Sequence, residues 1–381
     1  MTTSVAYGLR LVLCLPLERA TSVYDTHHTS TMKRILTLAL ASALSLSTLA
    51  QAEKGAPLWL RHQQISPDGS RIAFCYRGDI YTVPTSGGTA FRLTSNAAYD
   101  GTPIWSPDSK QIAFSSDREG SKDVYIISAD GSGLRRLTYN SEKELPVAFL
   151  DDNTLLFQSY IIPSIKDGMF PWFVQTYTLD LKKSVARPKL YSTYPTLDPS
   201  LRGGQMLYTD VKGYEDVWRK HAVSPVTRDI WLRDKDGKHT KLTSFGGEDR
   251  NAVWDRQGGF YYLSERGGSF NVFHRSSATA TAQDEQVTSF TRNPVRFLSI
   301  ASNGMLCYGY DGEIYTQTPG AAPQKVAISI TRDDEEPQLV RKTLRDNISD
   351  FAVAKSNKEV AFVANGDVFV TATDYTTTRR I

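Results

Sequence analysis

Apolar and polar positions alternate along this chain in short bursts, and turn residues separate the bursts. The stretch "SPDGSRIAFCYRGDIYTVPTSGGTAFRLT" (66–94) shows the pattern. Pro67 pre-sets its own φ, Asp68 can bond nearby backbone, and Gly69 relieves the exit of the turn. A β-branched and aromatic run ("RIAF") follows, then a hairpin ("CYRGD"), a second run ("IYTV"), a glycine turn ("TSGG") and a closing run ("FRLT"). The same phrase returns as "SPDSKQIAFSSDREGSKDVYIISADGSGLRRLT" from Ser106, and no window of the chain beyond residue 52 has a convincing helical period. A fixed period of this size marks a repeat architecture.

With one strand leading into each turn ("PIW" before Ser106), every period predicts four short antiparallel strands. Later copies are weaker: "FLDDNTLLFQS" (149–159), "LDPSLRGGQMLYTD" (197–210), "VWDRQGGFYYLSERGGSFNVF" (253–273) and "IASNGMLCYGYDGEIYTQ" (300–317). The six units start near Ile65, Trp105, Leu150, Leu197, Trp254 and Ile300. A four-stranded sheet with two apolar faces buries both only when stacked radially. The expected fold is therefore all-β: a six-bladed β-propeller of four-stranded antiparallel blades over 53–328. An open two-sheet sandwich does not explain a period of four strands with matching turns. After it, 329–347 is charged and patternless and reads as a linker. The phrase restarts in 348–381, where "EVAFVANGDVFV" mirrors "RIAFCYRGDIYTV". We expect 348–381 to be the first, incomplete blade of a second propeller, rather than a seventh blade of the first ring, with Ile381 aligned on Leu137 inside the closing strand.

The ends and the charge narrow the function. Met32 opens a basic, then apolar, then small-residue segment that reads as a secretory signal over 32–52, with cleavage after Ala52. Residues 1–31 then read as a start-site misassignment, and the protein as exported, to the periplasm or beyond. The net charge is +3 for the whole chain and +1 beyond residue 52, which argues against nucleic acid and anionic membranes as partners. No stretch is long and apolar enough to suggest a membrane span. Cys75 and Cys307 fall in different repeats and read as buried thiols rather than a disulfide.

The repeat "SPDSKQIAFSSDREGSKDVYIISADGSGLRRLT" resembles the PD40 (WD40-like) repeat of TolB-type proteins and propeller-bearing peptidases. The middle of the chain, "GYEDVWRKHAVSPVTRDIWLRD" (213–234), "GEDRNAVW" (247–254) and "LSERGGSFNVF" (263–273), resembles the first propeller of tricorn-like serine peptidases of the S41 class. The resemblance implies a non-catalytic N-terminal propeller that gates the passage of peptide substrates or products and scaffolds PDZ and catalytic domains. The family's catalytic residues lie in a C-terminal region outside this chain, so no catalytic residue is carried over and the chain alone is expected to be inactive. Peptides or unfolded protein segments are the implied partners, and a homo-oligomer is compatible with the family. Two alternatives are a TolB-like periplasmic interaction propeller and the propeller of a prolyl-oligopeptidase-type hydrolase.

The sequence carries no nucleophile elbow, no zincin motif and no metal-spaced cluster, so neither a cofactor nor a metal is expected. Candidate peptide- or interdomain-contact residues are Trp218, Arg219, Lys220 and His221 in an insertion of the fourth repeat, and Lys166 in "YIIPSIKDGMFPWF" (160–173). Asp117/Arg118 and Asp249/Arg250 read as structural turn and interblade ion pairs, and Trp105 and Trp254 as equivalent packing residues.

Overall fold

The computed structural model describes residues 57, 59–160, 174–183, 186–212, 226–331, 348–374 and 378–381. The expected signal and preceding segments (1–52) and most of the linker lie outside them.

The repeated phrase folds the same way each time because its hydrogen bonds are local. Ser66 Oγ donates to Asp68 Oδ1 at 2.5 Å and accepts the Arg71 amide at 3.0 Å. Ser106 does the same with Asp108 (2.6 Å) and the Gln111 amide (2.9 Å). The hairpin of the first repeat turns through Arg77 and Gly78, at φ 52° and 85°. Two successive left-handed residues give a turn whose twist matches the strands it joins, which is why glycine stands second.

Seven four-stranded antiparallel sheets result, each with its strands in chain order. Their first strands are Arg61–Ile65, Asp100–Trp105, Glu144–Asp151, Leu197–Arg202, Asp249–Trp254, Arg296–Ile300 and Ile348–Val353. No helix occurs among the described residues. Shared cores join the first sheet to the second and the sixth, the second to the third, and the fifth to the fourth and the sixth. Ala73, Cys75 and Ile80 of the first sheet pack with Ile112, Phe114 and Tyr125 of the second. Ile72, Phe74 and Val83 pack with Cys307, Ile314 and Val326 of the sixth. Trp105 and Trp254 do more than pack, since each indole N–H donates to a carbonyl of the preceding sheet, Gln64 O (3.0 Å) and Ser200 O (2.9 Å). The first and sixth sheets are tied by Ile65 N donating to Ser299 Oγ (3.1 Å) and by a parallel pairing of Ile328–Ser329 with Gly88–Thr89. That pairing carries the chain to Ser329 in company with the first sheet.

Two readings change in detail. The fourth unit is out of phase by four residues: Leu201, not Leu197, occupies the place of Ile65 and Trp105, because the turn runs through Gly203 and Gly204 rather than through "DPS". The adjacent acids and arginines choose other partners: Arg118 holds Asp100 (3.0 Å) and Arg266 holds Asp249 (2.9 Å), each within its own sheet. Arg250 instead pairs with Glu248. The two cysteines are buried free thiols, and burial pushes Cys75 up to about 12.

The seventh sheet repeats the local geometry, with a left-handed Asn365–Gly366 turn at φ 50° and 86°. Its first strand is exposed along its whole length. Only its hairpin is enclosed. Ala364 is buried, and a β-carbon on Gly366 would overlap the Arg61 guanidinium.

Candidate functional site: the cavity lined by the first strands

The first strands of the first six sheets border one cavity of about 610 Å³. Each wall strand carries a β-bulge, and in five of the six a residue in the left-handed region sits in it: His62 (φ 51°), Thr102 (50°), Asp198 (48°), Asn251 (53°) and Phe297 (57°). Left-handed backbone at residues other than glycine costs roughly 1–3 kcal/mol each and persists only where the surroundings over-determine it. A bulge re-aims a side chain and bends its strand. The third sheet has Pro146 at this position, whose ring forbids positive φ, and its register shifts around Val147 instead. The result is a girdle of six unlike side chains, one per sheet.

The girdle is held from behind. Asn251 spans to the sixth sheet, accepting from Leu298 N (2.8 Å) and donating to Leu298 O (3.1 Å). His62 packs on Phe297 with ring centroids 4.6 Å apart. His62 and Asp198 keep some surface open to the cavity, yet the surrounding sheets enclose them, and enclosure sets their protonation. It drives His62 down to about 3, with Arg61 and Lys122 adding repulsion. It raises Asp198, against the pull of Arg250 and Arg228. His62 is therefore neutral at ordinary pH.

Charge lies at one end of the cavity. Arg228 and Arg250, both largely buried, donate to Glu248 Oε1 at 3.1 and 3.3 Å, and Arg250 lies 4.3 Å from the ring centre of Phe270. Arg296 borders the cavity at the strand position that Arg250 occupies in its own sheet. The other end is lined by Ile65, Ile104, Trp105, Leu201, Val253 and Ile300. The cavity is thus basic at the strand starts and apolar at the strand ends.

Lys166, Trp218, Arg219, Lys220 and His221 lie outside the described residues. The strands flanking their segments end near the basic side: Ser159 and Gln175 pair opposite Glu144, and Thr209 and Ile230 pair opposite Leu197. Arg228, Arg250, Glu248 and the girdle are not marked as a site by the sequence pattern, although "GEDRNAVW" holds Glu248, Arg250 and Asn251 close together. Among the described residues no group of His, Cys, Asp and Glu is arranged to hold a metal.

Residues 57–322 match the family described as the tricorn protease N-terminal beta propeller domain. Among curated proteins, Tricorn protease homolog 1 of Streptomyces coelicolor is 23% identical over 286 residues, covering 73% of this chain and 25% of its own length. The chain therefore spans about a quarter of that relative. Among solved structures, tricorn protease superposes with a TM-score of 0.60 at 19% identity, covering 85% of this chain and 31% of the other. TolB from Acinetobacter baumannii superposes with a TM-score of 0.51 at 17% identity, covering 66% and 62%. Both likenesses speak to fold.

Proposed function

The chain belongs to the tricorn protease N-terminal beta propeller family, and from that premise we propose that it is the non-catalytic first propeller of an exported, tricorn-like serine peptidase of the S41 class. The first six sheets form its complete ring, and 348–381 opens a second. The ring's central cavity gates unfolded peptide, while its body scaffolds PDZ and catalytic domains beyond this chain. The observation that carries the reading is the girdle: five strained bulges at one register narrow the passage and present a different side chain from each sheet. The basic end favours the carboxylates of an acidic segment, and the apolar end accepts side chains without charge. Lys166, Trp218, Arg219, Lys220 and His221 are our candidates for peptide or interdomain contact, since the described strands that flank their segments end near the basic side.

A photo-reactive, unstructured acidic peptide tests this. Crosslinks should map to the wall segments 145–148, 250–253 and 296–300, and Arg250→Gln should weaken capture several-fold while a basic peptide binds poorly throughout. Crosslinks confined to the outer fourth strands would instead favour a TolB-like interaction module, whose partners dock on the outside.

A further inference from the structure

The repeat supplies its own control for one junction that breaks the rule. The first strands of the second, third and fifth sheets each begin with an acid, Asp100, Glu144 and Asp249, and each lies opposite a serine: Ser116, Ser159 and Ser264. Two residues past the serine, the second and fifth sheets carry an arginine that holds the acid, Arg118 on Asp100 at 3.0 Å and Arg266 on Asp249 at 2.9 Å. The third sheet has Ile161 at that sequence position. Glu144 is nonetheless buried, at 1% exposure, with its amide donating to Lys122 O at 2.7 Å across the junction with the second sheet. That bond sets it beside Asp123, which is also fully buried and whose Oδ1 finds no hydrogen-bond donor among the described residues.

We propose that Glu144 and Asp123 share one proton across the junction of the second and third sheets, making this junction a pH-sensitive latch. Two buried carboxylates in contact cannot both stay ionised, and a carboxyl oxygen can donate only when protonated. The charged groups around the pair do not remove the need. Arg136 holds Asp123 at 2.8 Å, Arg118 is committed to Asp100, and Glu119 adds negative charge. Among the described residues, the Glu144 carboxyl also meets the Thr138 hydroxyl and the Asn140 amide at 3.5 Å, with Ser159 opposite it in its own sheet. Burial, with Asp123 as a later contributor, raises Glu144 to about 7.

The sign follows from linkage. The folded junction binds a proton that the opened one releases, so its extra stability is full below the ordinary carboxylate range and is lost as pH rises to about 7. Asp79 and Asp249 are also raised, to about 6, so they have largely ionised before Glu144 does.

Hydrogen exchange on the full chain between pH 6 and 8 separates them. After correction for intrinsic rates, protection of 144–149 should fall up to about tenfold from pH 6 to 7 and then level, while 100–105 stays constant. Glu144→Gln should abolish the fall. Should that variant fail to fold, Asp123→Asn should move the fall to lower pH. An unchanged fall in either folded variant, or equal falls in both segments, overturns the latch. So does loss of the pH dependence in Lys166→Ala, since the cation would then come from the insertion rather than a shared proton.

Discussion

The second sheet and the seventh are written in nearly the same words and live in different surroundings. Phe114 stacks on Tyr125 at 5.9 Å, and Phe362 on Phe369 at 5.4 Å, from the same register. Leu137 N donates to Val124 O at 2.8 Å, and Ile381 N to Val368 O at 3.0 Å. Yet Trp105 is 7% exposed and its counterpart Val353 is 53%; Leu137 is 7% and Ile381 is 75%. Local hydrogen bonding therefore follows from each repeat's own residues, whereas burial is a gift of the adjacent sheets. Stability should follow burial.

The sharpest break of this comparison is a pair of truncations. Ending the chain after Lys325 removes Val326 and Ile328, both buried in the core shared by the first and sixth sheets, together with the parallel pairing to Gly88–Thr89. Two such side chains are worth about 3–6 kcal/mol, and the thermal midpoint should fall steeply. Ending it after Thr331 discards the whole seventh sheet and should leave the midpoint nearly unchanged. An equal drop from both truncations would mean that the seventh sheet belongs to the first ring after all.

Point substitutions make the same contrast inside one chain. Phe114→Ala empties a fully buried site and should cost about 3–5 kcal/mol in denaturant unfolding, while Phe362→Ala should leave the main transition within about 0.5 kcal/mol. A large loss from Phe362→Ala would show a hidden neighbour for the seventh sheet.

The same division explains what could be read before the structure. Turns and strand order were visible because Ser-Pro-Asp, Arg-Gly and Asn-Gly act within a few residues. The phase of the fourth repeat slipped because "LDPS" imitates a turn that Gly203 and Gly204 actually make. The girdle left little trace: Thr102 and Phe297 do not announce a left-handed backbone, and the His, Asp and Asn that adopt it more readily stand at many other positions too. The Arg228–Glu248–Arg250 cluster was hidden for another reason: it joins the approach to one strand with the start of another, and only packing of the fourth sheet on the fifth brings them together.

The smallest expected effect concerns the threonine that ends the repeated phrase. Thr94, Thr138, Thr243 and Thr288 each accept, through the side-chain oxygen, a buried amide at the start of the third strand: Ile80, Val124, Ile230 and Val272, at 2.8–2.9 Å. Four occurrences of one geometry make the hydroxyl, not the branched shape, the reason for the residue. Thr288 isolates the bond best. Its own proton goes to Asn271 Oδ1, which still accepts from Phe290 N at 2.7 Å if the hydroxyl is lost. Thr288→Val keeps the volume and strands one buried N–H, so it should cost about 1–2 kcal/mol, whereas Thr288→Ser keeps the oxygen and should recover most of it. Valine as stable as the wild type, with serine the weaker of the two, would assign the position to packing and remove the hydrogen bond from the account of why the phrase repeats.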